Sequence, residues 1–264
     1  MNIIERQIVD VLKCLKEEHG VFEIKAEFEA EGSRVEEMMR LKDVTSKLDL
    51  PIILKIGGVE AVTDMYNALS IGVKGIIAPM AETAFAVSKF TNSIQEFIPQ
   101  DNAEDVDFAI NIETVTAHEN VDSILDLEGI KHLAGVTIGR VDFVGSMNGD
   151  RSVVNSGKML GICEDIFTKA RAKGLGCGLG GAISSDSIEF TKYLADKKLV
   201  DKYETRKVVY DIGAIYNNPQ AGLVKGIEFE LLWLKSKQRY YSGIKREDQQ
   251  RIDMLEQRFE KASN

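Results

Sequence analysis

Two carboxylates in this chain stand where a metal ion could be held. Glu113 follows the apolar run Phe108-Ala109-Ile110-Asn111-Ile112, and Asp142 follows Ala134-Gly135-Val136-Thr137-Ile138 by way of Gly139-Arg140-Val141. A helix-like stretch, Val121 to Leu127, lies between them. The pattern reads as strand–helix–strand with one carboxylate at the C-terminal end of each strand. In a (β/α)8 barrel that edge is where chemistry sits. Two oxygen ligands there suit Mg²⁺ or Mn²⁺, because hard cations bind through one or two carboxylates plus water and substrate oxygens. Gly139 lacks a Cβ, so a ligand can come close to the backbone, and the N–H groups after it can hold a carboxylate.

Lysines form a second set. Lys25 and Lys55 sit inside apolar strands, where an ammonium is costly to bury unless paired. Lys25, Glu27 and Glu29 share one strand face, so internal pairing is one reading. Another is an electropositive group that holds an anionic substrate. A third is a Schiff-base amine, since desolvation lowers a lysine's pKa. His19, His118 and His132 fall in helices or connectors, and no Ser-His-Asp or Cys-His set is visible. Base catalysis therefore falls to a carboxylate, a lysine or metal-bound hydroxide. The glycine-rich stretch Gly174 to Gly181 lacks both the G-x-G-x-x-G order and G-K-[ST], so it is weak as a nucleotide site. Close backbone packing, or room for a substrate, accounts for it better, and Cys177 within it reads as a small buried residue.

Alternating elements position these groups. Strands are expected over Val21 to Ala30, Pro51 to Ile56, Lys74 to Pro79, Phe108 to Ile112, Ala134 to Ile138, Gly174 to Gly181 and Arg206 to Asp211. Helices are expected over Ser33 to Lys47 (Ser33 as N-cap, with Glu36 three residues on), Val59 to Ser70, Thr83 to Phe97 and Ser184 to Leu194. Strands separated by such helices imply a parallel sheet. The expected fold is a (β/α)8 TIM barrel with a C-terminal helical extension, and an open doubly wound sheet is the alternative. Only seven strands are visible. The absent one is expected to be the first, altered or hidden by the helical opening Ile3 to Glu18. The barrel is expected over residues 1–214. Residues 215–264 read as two helices, Ala221 to Arg239 and Lys245 to Lys261, joined at Tyr240-Tyr241-Ser242-Gly243-Ile244. The thin stripe Ile252, Leu255 and Phe259 on the second needs a surface, either the barrel's own or a neighbouring subunit's.

Composition bounds the class. The chain has 264 residues, is 44% hydrophobic and 28% charged, and carries a net charge of −9. That charge disfavours nonspecific binding to nucleic acid or anionic membranes. No apolar run is long enough for a transmembrane helix, and the N-terminus has no apolar signal core. Three scattered cysteines, Cys14, Cys163 and Cys177, favour a reducing, cytoplasmic setting and form no zinc motif.

Several blocks resemble one family. Pro51-Ile-Ile-Leu-Lys55, Ala68 to Met80 (ALSIGVKGIIAPM), Ile110 to Thr114 (INIET), Asn120 to Leu125 (NVDSIL) and Ile138 to Asp142 (IGRVD) resemble the HpcH/HpaI aldolase and citrate lyase family of the phosphoenolpyruvate/pyruvate barrel superfamily. The last three in order are the most specific. The resemblance implies that Glu113 and Asp142 ligate a divalent metal, Mg²⁺ or Mn²⁺. It implies that Gly139, Arg140 and Val141 present backbone amides to the carboxylate of a 2-oxo acid. It implies a class II aldolase, carbon–carbon lyase or synthase that works through a pyruvate- or oxaloacetate-type enolate with an aldehyde or acyl acceptor, in a homo-oligomer. The sequence departs from the family at two places. Lys55 stands where an arginine is common, keeping the charge but not the bidentate fork. Glu27-Phe28-Glu29-Ala30 stands where an Asp/Glu-x-Glu-His segment is common, so the histidine base is missing. Lys55 is then expected to contact the keto oxygen or carboxylate with help from Lys25, and Glu27 or Glu29 to serve as base. The competing readings are a Schiff-base aldolase using Lys55 or Lys25, and a noncatalytic metabolite-binding barrel.

Overall fold

The computed structural model describes residues 1–263. Eight strands close in chain order into a barrel: β1 (Val21–Glu27), β2 (Ile52–Lys55), β3 (Gly75–Ala78), β4 (Asp107–Asn111), β5 (Gly135–Gly139), β6 (Gly176–Gly180), β7 (Lys202–Glu204) and β8 (Val208–Asp211). The α-helices are α1 (Ile3–His19), α2 (Val35–Thr45), α3 (Val62–Ile71), α4 (Ala84–Phe97), α5 (Gln100–Asp105), α6 (Val115–Glu119), α7 (Val121–Leu125), α8 (Arg140–Ser146), α9 (Gly157–Ala172), α10 (Ile188–Asp196) and α11 (Pro219–Ser263).

Alternation along each strand builds two layers. Ile24, Ile52, Leu54, Ile76, Ile110 and Ile138 are buried in the layer between the strands and the helices. The other face points into the barrel. There Glu23 and Lys25 on β1 reach Lys202 and Glu204 on β7, across β8. The apolar part of the interior is thin, made of Ile53, Ile77 and Val209 with Ala109 against them. Below it, at the N-terminal ends of the strands, Gly75, Gly135, Gly176 and Gly178 help line a cavity of about 210 Å³. The glycine-rich stretch thus makes room at the end opposite the strand carboxylates.

Four expectations need correction. The strand missed in the sequence is β7, not the first; it is three residues long and carries a single apolar side chain, Tyr203. The sheet is not wholly parallel. β8 runs antiparallel to both β7 and β1, joined to β7 by a hairpin at Thr205-Arg206-Lys207. Thr205 shapes that hairpin: its Oγ1 accepts from the N–H groups of Lys207 (3.4 Å) and Val208 (3.2 Å). Ser33 does not cap α2, whose N-cap is Arg34, and the Ser33 hydroxyl donates to Glu31 instead. The two expected tail helices are one, continuous through Tyr240 to Ile244.

The reason for that continuity is tertiary. Arg34 and Arg40 stack on the rings of Tyr241 (4.9 Å) and Tyr240 (4.8 Å). The Tyr241 hydroxyl donates to Glu37 at 2.5 Å, Lys237 pairs with Glu37 at 2.8 Å, and Glu5 pairs with Arg40. The proximal half of α11 packs on α1 through Leu223, Phe229 and Trp233, while Ile252, Leu255 and Phe259 are exposed.

These ion pairs predict an acid response. Burial works against ionised Glu5 and Glu37, but Arg40, and Lys237 with Tyr241, outweigh it and hold both carboxyls below the usual range. A lowered carboxyl pKa contributes stability above the unfolded value and loses it as pH falls through the folded one. The α11 contacts are therefore expected to loosen only below about pH 4.5. The sole tryptophan, Trp233, is 3% exposed, so a red shift of its emission on acidification reports the release.

Candidate functional site

The C-terminal ends of β1 to β7 and the β7–β8 hairpin share one rim. Two residues past β4, Glu113 turns back onto the barrel and is only 1% exposed. One of its oxygens accepts the Met80 N–H at 3.0 Å, and the other accepts Asn111 Nδ2 at 3.1 Å. Met80 adopts a left-handed φ of 51° at the end of β3, an uncommon conformation for a non-glycine residue, and so aims its N–H at this carboxylate. Gly139 makes room for it: a Cβ there would lie 3.1 Å from Glu113 Cβ and clash with its carboxylate.

Asp142 lies in the first turn of α8, the helix that leaves β5, and is exposed. Burial, first, and the facing charge of Asp142 push the Glu113 carboxyl above the usual range, against the pull of Lys55, the Met80 N–H and Asn111. Asn111 Oδ1 is buried without a hydrogen-bond partner. A buried carboxylate, a facing carboxylate and an orphaned amide oxygen make an all-oxygen donor set, which fits a hard divalent cation. A cation there would also relieve the repulsion between Glu113 and Asp142.

Gly139, Arg140 and Val141 open α8, whose first N–H groups lack partners within the helix. Gly181 sits over them with φ +78°, and a Cβ on it would lie 2.5 Å from the Arg140 nitrogen and 2.7 Å from that of Val141. The cradle over these amides is open because residue 181 is glycine. The Arg140 side chain points elsewhere. Its guanidinium, 0% exposed, donates to the carbonyls of Gly180 (3.1 Å) and Gly181 (2.7 Å) and to Asn155 Oδ1 (2.6 Å), and lies over Phe190. Arg140 thus ties the β6 end to the β5 end, and only its main chain faces the cradle.

The lysines are all paired. Lys25 Nζ lies 2.5 Å from Glu204 and 3.5 Å from Glu27, and Lys55 Nζ lies 2.8 Å from Glu29. Burial alone would lower both ammonium pKa values. Glu204 and Glu27 outweigh it at Lys25, and Glu113, Glu29 and Glu27 outweigh it at Lys55, so both stay above the usual range. The structure therefore gathers Glu27, Glu29, Lys25, Lys55, Glu113, Asp142 and the Gly139–Val141 main chain at one rim. Glu29 is reached from the loop after β1, not from the strand face it was expected to share. Sequence reasoning missed Asn111, the Met80 amide, Gly181 and Glu204. Glu204 keeps one buried oxygen without a partner. Asn111 was legible, as a polar residue two positions before Glu113 on the same inward face.

A family model, the HpcH/HpaI aldolase/citrate lyase family, matches residues 17–196. The chain belongs to that family. No curated protein sequence matches it. Among solved structures it is similar to the HpcH/HpaI aldolase from Desulfitobacterium hafniense DCB-2, at 17% identity over 84% of this chain and 87% of that one, with a TM-score of 0.60. It is also similar to the citrate synthase SbnG (18%, 85% and 89%, TM-score 0.60) and to macrophomate synthase (15%, 89% and 90%, TM-score 0.53). At these identities the likeness shows the barrel fold. HpcH/HpaI members are lyases, aldolases and synthases, so the chain is placed among enzymes of that kind. No helix among the described residues is long and apolar enough to cross a membrane.

Proposed function

We propose that this HpcH/HpaI protein is a divalent-metal-dependent carbon–carbon lyase, aldolase or synthase acting through a pyruvate- or oxaloacetate-type enolate. The observation that carries the reading is the buried Glu113 just past β4, with the orphaned Asn111 oxygen beside it and Asp142 in the first turn of the helix that leaves β5. Glu113 and Asp142 would hold Mg²⁺ or Mn²⁺. When bound, the ion supplies Lewis-acid stabilisation of negative charge on a 2-oxo acid. The chain's own groups do the rest. The amides of Arg140 and Val141, beside Gly139 and under Gly181, receive the substrate carboxylate. Lys55 contacts its keto oxygen or carboxylate, and Lys25 adds positive potential behind it. Glu27 or Glu29 takes the proton, and each already faces an ammonium that can share it.

The Schiff-base alternative is disfavoured, because imine formation needs a neutral amine and the facing carboxylates keep Lys25 and Lys55 protonated. The partners are a small 2-oxo acid and an aldehyde or acyl acceptor, with no nucleic acid or membrane, in keeping with the net charge of −9. Three free cysteines support a cytoplasmic setting. The exposed Ile252 and Leu255 on α11 support a homo-oligomer and a division of the chain into a barrel, 1–214, and a helical segment, 215–264.

The test is methyl-proton exchange of pyruvate in D2O, followed by NMR, with Mg²⁺ or Mn²⁺ and then with EDTA. Exchange that needs the metal and disappears in Glu113→Ala is expected. A Glu113→Ala protein that keeps both metal binding and exchange would sink the assignment.

A further inference from the structure

Away from the barrel mouth, the last two turns of α1 carry Cys14, Glu18 and His19. The helix turns these side chains to one side. The Cys14 sulfur, a Glu18 oxygen and a His19 ring nitrogen all lie within 4.8 Å of one another. Cys14 and His19 are half-buried and Glu18 is exposed. His19 Nδ1 is itself buried and has no hydrogen-bond partner among the described residues, although buried polar atoms normally have one. The three residues follow no Cys-x-x-Cys or Cys/His loop spacing, because a helix end gathers them instead. α1 ends at His19 and β1 begins at Val21, so the trio lies at the N-terminal end of the barrel, opposite Glu113.

α11 forms the other wall. Ser236 meets Glu5 at 3.3 Å, and Gly222 meets His19 so closely that a Cβ on it would lie 3.2 Å from the histidine Cβ. These two contacts are equally spaced along both helices, so α1 and α11 run antiparallel in register. Cys14, between them, falls level with Ile227 and Glu228. Glu228 pairs with Lys225 at 2.7 Å. The pull of Glu228 first, then of Cys14 and Glu18, holds the Lys225 ammonium above its usual range. The spot therefore already draws a cation, carried on a flexible stem that can swing to solvent. Burial, then Glu18, pushes the Cys14 thiol up, so it is protonated at neutral pH.

We infer that Cys14, Glu18 and His19 bind a zinc ion, with Glu228 of α11 as the fourth ligand, and that this ion clips the start of the chain to its tail. A thiolate and an imidazole beside carboxylates suit Zn²⁺, whereas Mg²⁺ and Mn²⁺ prefer oxygen alone. Ligand atoms around a tetrahedral zinc stand roughly 3.5 Å apart, given bonds of about 2.0–2.3 Å. Rotation of the exposed Glu18 side chain closes the set to that spacing. On binding, the Cys14 S–H bond breaks, its proton goes to solvent, and a sulfur–zinc bond forms. Lys225 gives up Glu228 and turns outward. Zinc binding weakens as pH falls, because the thiol must lose that proton. The clip is independent of the reading of the rim, since the two sites share no residue.

The test titrates the full-length, reduced protein with Co²⁺, a coloured substitute for zinc, and then displaces it with Zn²⁺. A thiolate-to-cobalt charge-transfer band in the near ultraviolet is expected, bleached by Zn²⁺ and absent in Cys14→Ser. Glu113→Ala should keep the band, because its site offers oxygen only. His19→Gln should weaken Zn²⁺ binding by more than about 100-fold, since even a group that only supports a ligand is worth about 10–100-fold. Glu18→Gln and Glu228→Gln should each cost about 10-fold or more. These three positions also carry the test if Cys14→Ser does not fold. A wild-type protein without the band overturns the inference. So does a band that survives Cys14→Ser, which would assign it to Cys163 or Cys177. A band lost in Cys14→Ser but indifferent to Glu18→Gln and His19→Gln marks a lone thiolate and overturns it too. Unchanged affinity in Glu228→Gln gives the fourth place to water and overturns the clip between the helices.

Discussion

Replacing Gly181 with alanine is expected to abolish most activity while leaving the barrel folded. The new methyl would press on the Arg140 and Val141 nitrogens at 2.5 and 2.7 Å, and both belong to main chain that cannot swing aside. The backbone at φ +78° adds strain for any residue with a Cβ. The expected consequence is that a substrate carboxylate loses its amide donors. Removal of such donors at other enzyme sites costs about 100-fold or more in rate. Pyruvate proton exchange should fall by that order, whereas Mn²⁺ affinity, which the proposed function assigns to Glu113 and Asp142, should change little. Retention of full exchange would show that these amides do not receive the substrate.

Arg140→Met should act on stability first. The guanidinium is buried with carbonyl and amide oxygens as partners, and burial pushes its pKa down to about 10, still charged at neutral pH. Methionine fills similar space but leaves the carbonyls of Gly180 and Gly181 and the Asn155 amide oxygen without those donors. Unsatisfied buried acceptors of this kind together cost roughly 3 kcal/mol. For a domain of this size the melting temperature should fall by about 10 °C. The second effect is local: Gly181 loses its tether, so exchange activity should drop even at temperatures where the variant is folded. A variant that melts like wild type would mean that the Gly180–Gly181 turn is held by its backbone alone.

Much of this was legible in the sequence, for identifiable reasons. Alternation exposes a strand when it runs long enough to show both layers, as in Val21 to Glu27, where Ile24 and Ala26 point outward and Lys25 and Glu27 inward. Lys202-Tyr203-Glu204 offers one apolar residue and so shows no period. Strand direction is not encoded in alternation at all. Only connection length carries it, and the Thr205 turn lacks the Gly, Asn or Asp that usually marks a hairpin. The tail failed for the opposite reason: Tyr-Tyr-Ser-Gly-Ile is locally a poor helix, but stacking of Arg34 and Arg40 on its tyrosines overrides that preference. At the site, Glu113 and Asp142 could be found because each lies within three residues of the end of its own strand. The Met80 amide and Gly181 enter from separate segments, and only the closed barrel brings them to the same rim.

The reversed last strand also sets a timetable for synthesis. Closing the barrel requires Val21 to Ile24 to pair with residues 208 to 210, so the seam joins the two ends of the barrel sequence. During translation β1 and the growing edge stay unpaired until the β7–β8 hairpin emerges. That hairpin is local and forms in microseconds, far faster than residues are added. The nascent chain is therefore most vulnerable to edge-to-edge association just before residue 208 appears, and a chain truncated there keeps two open edges.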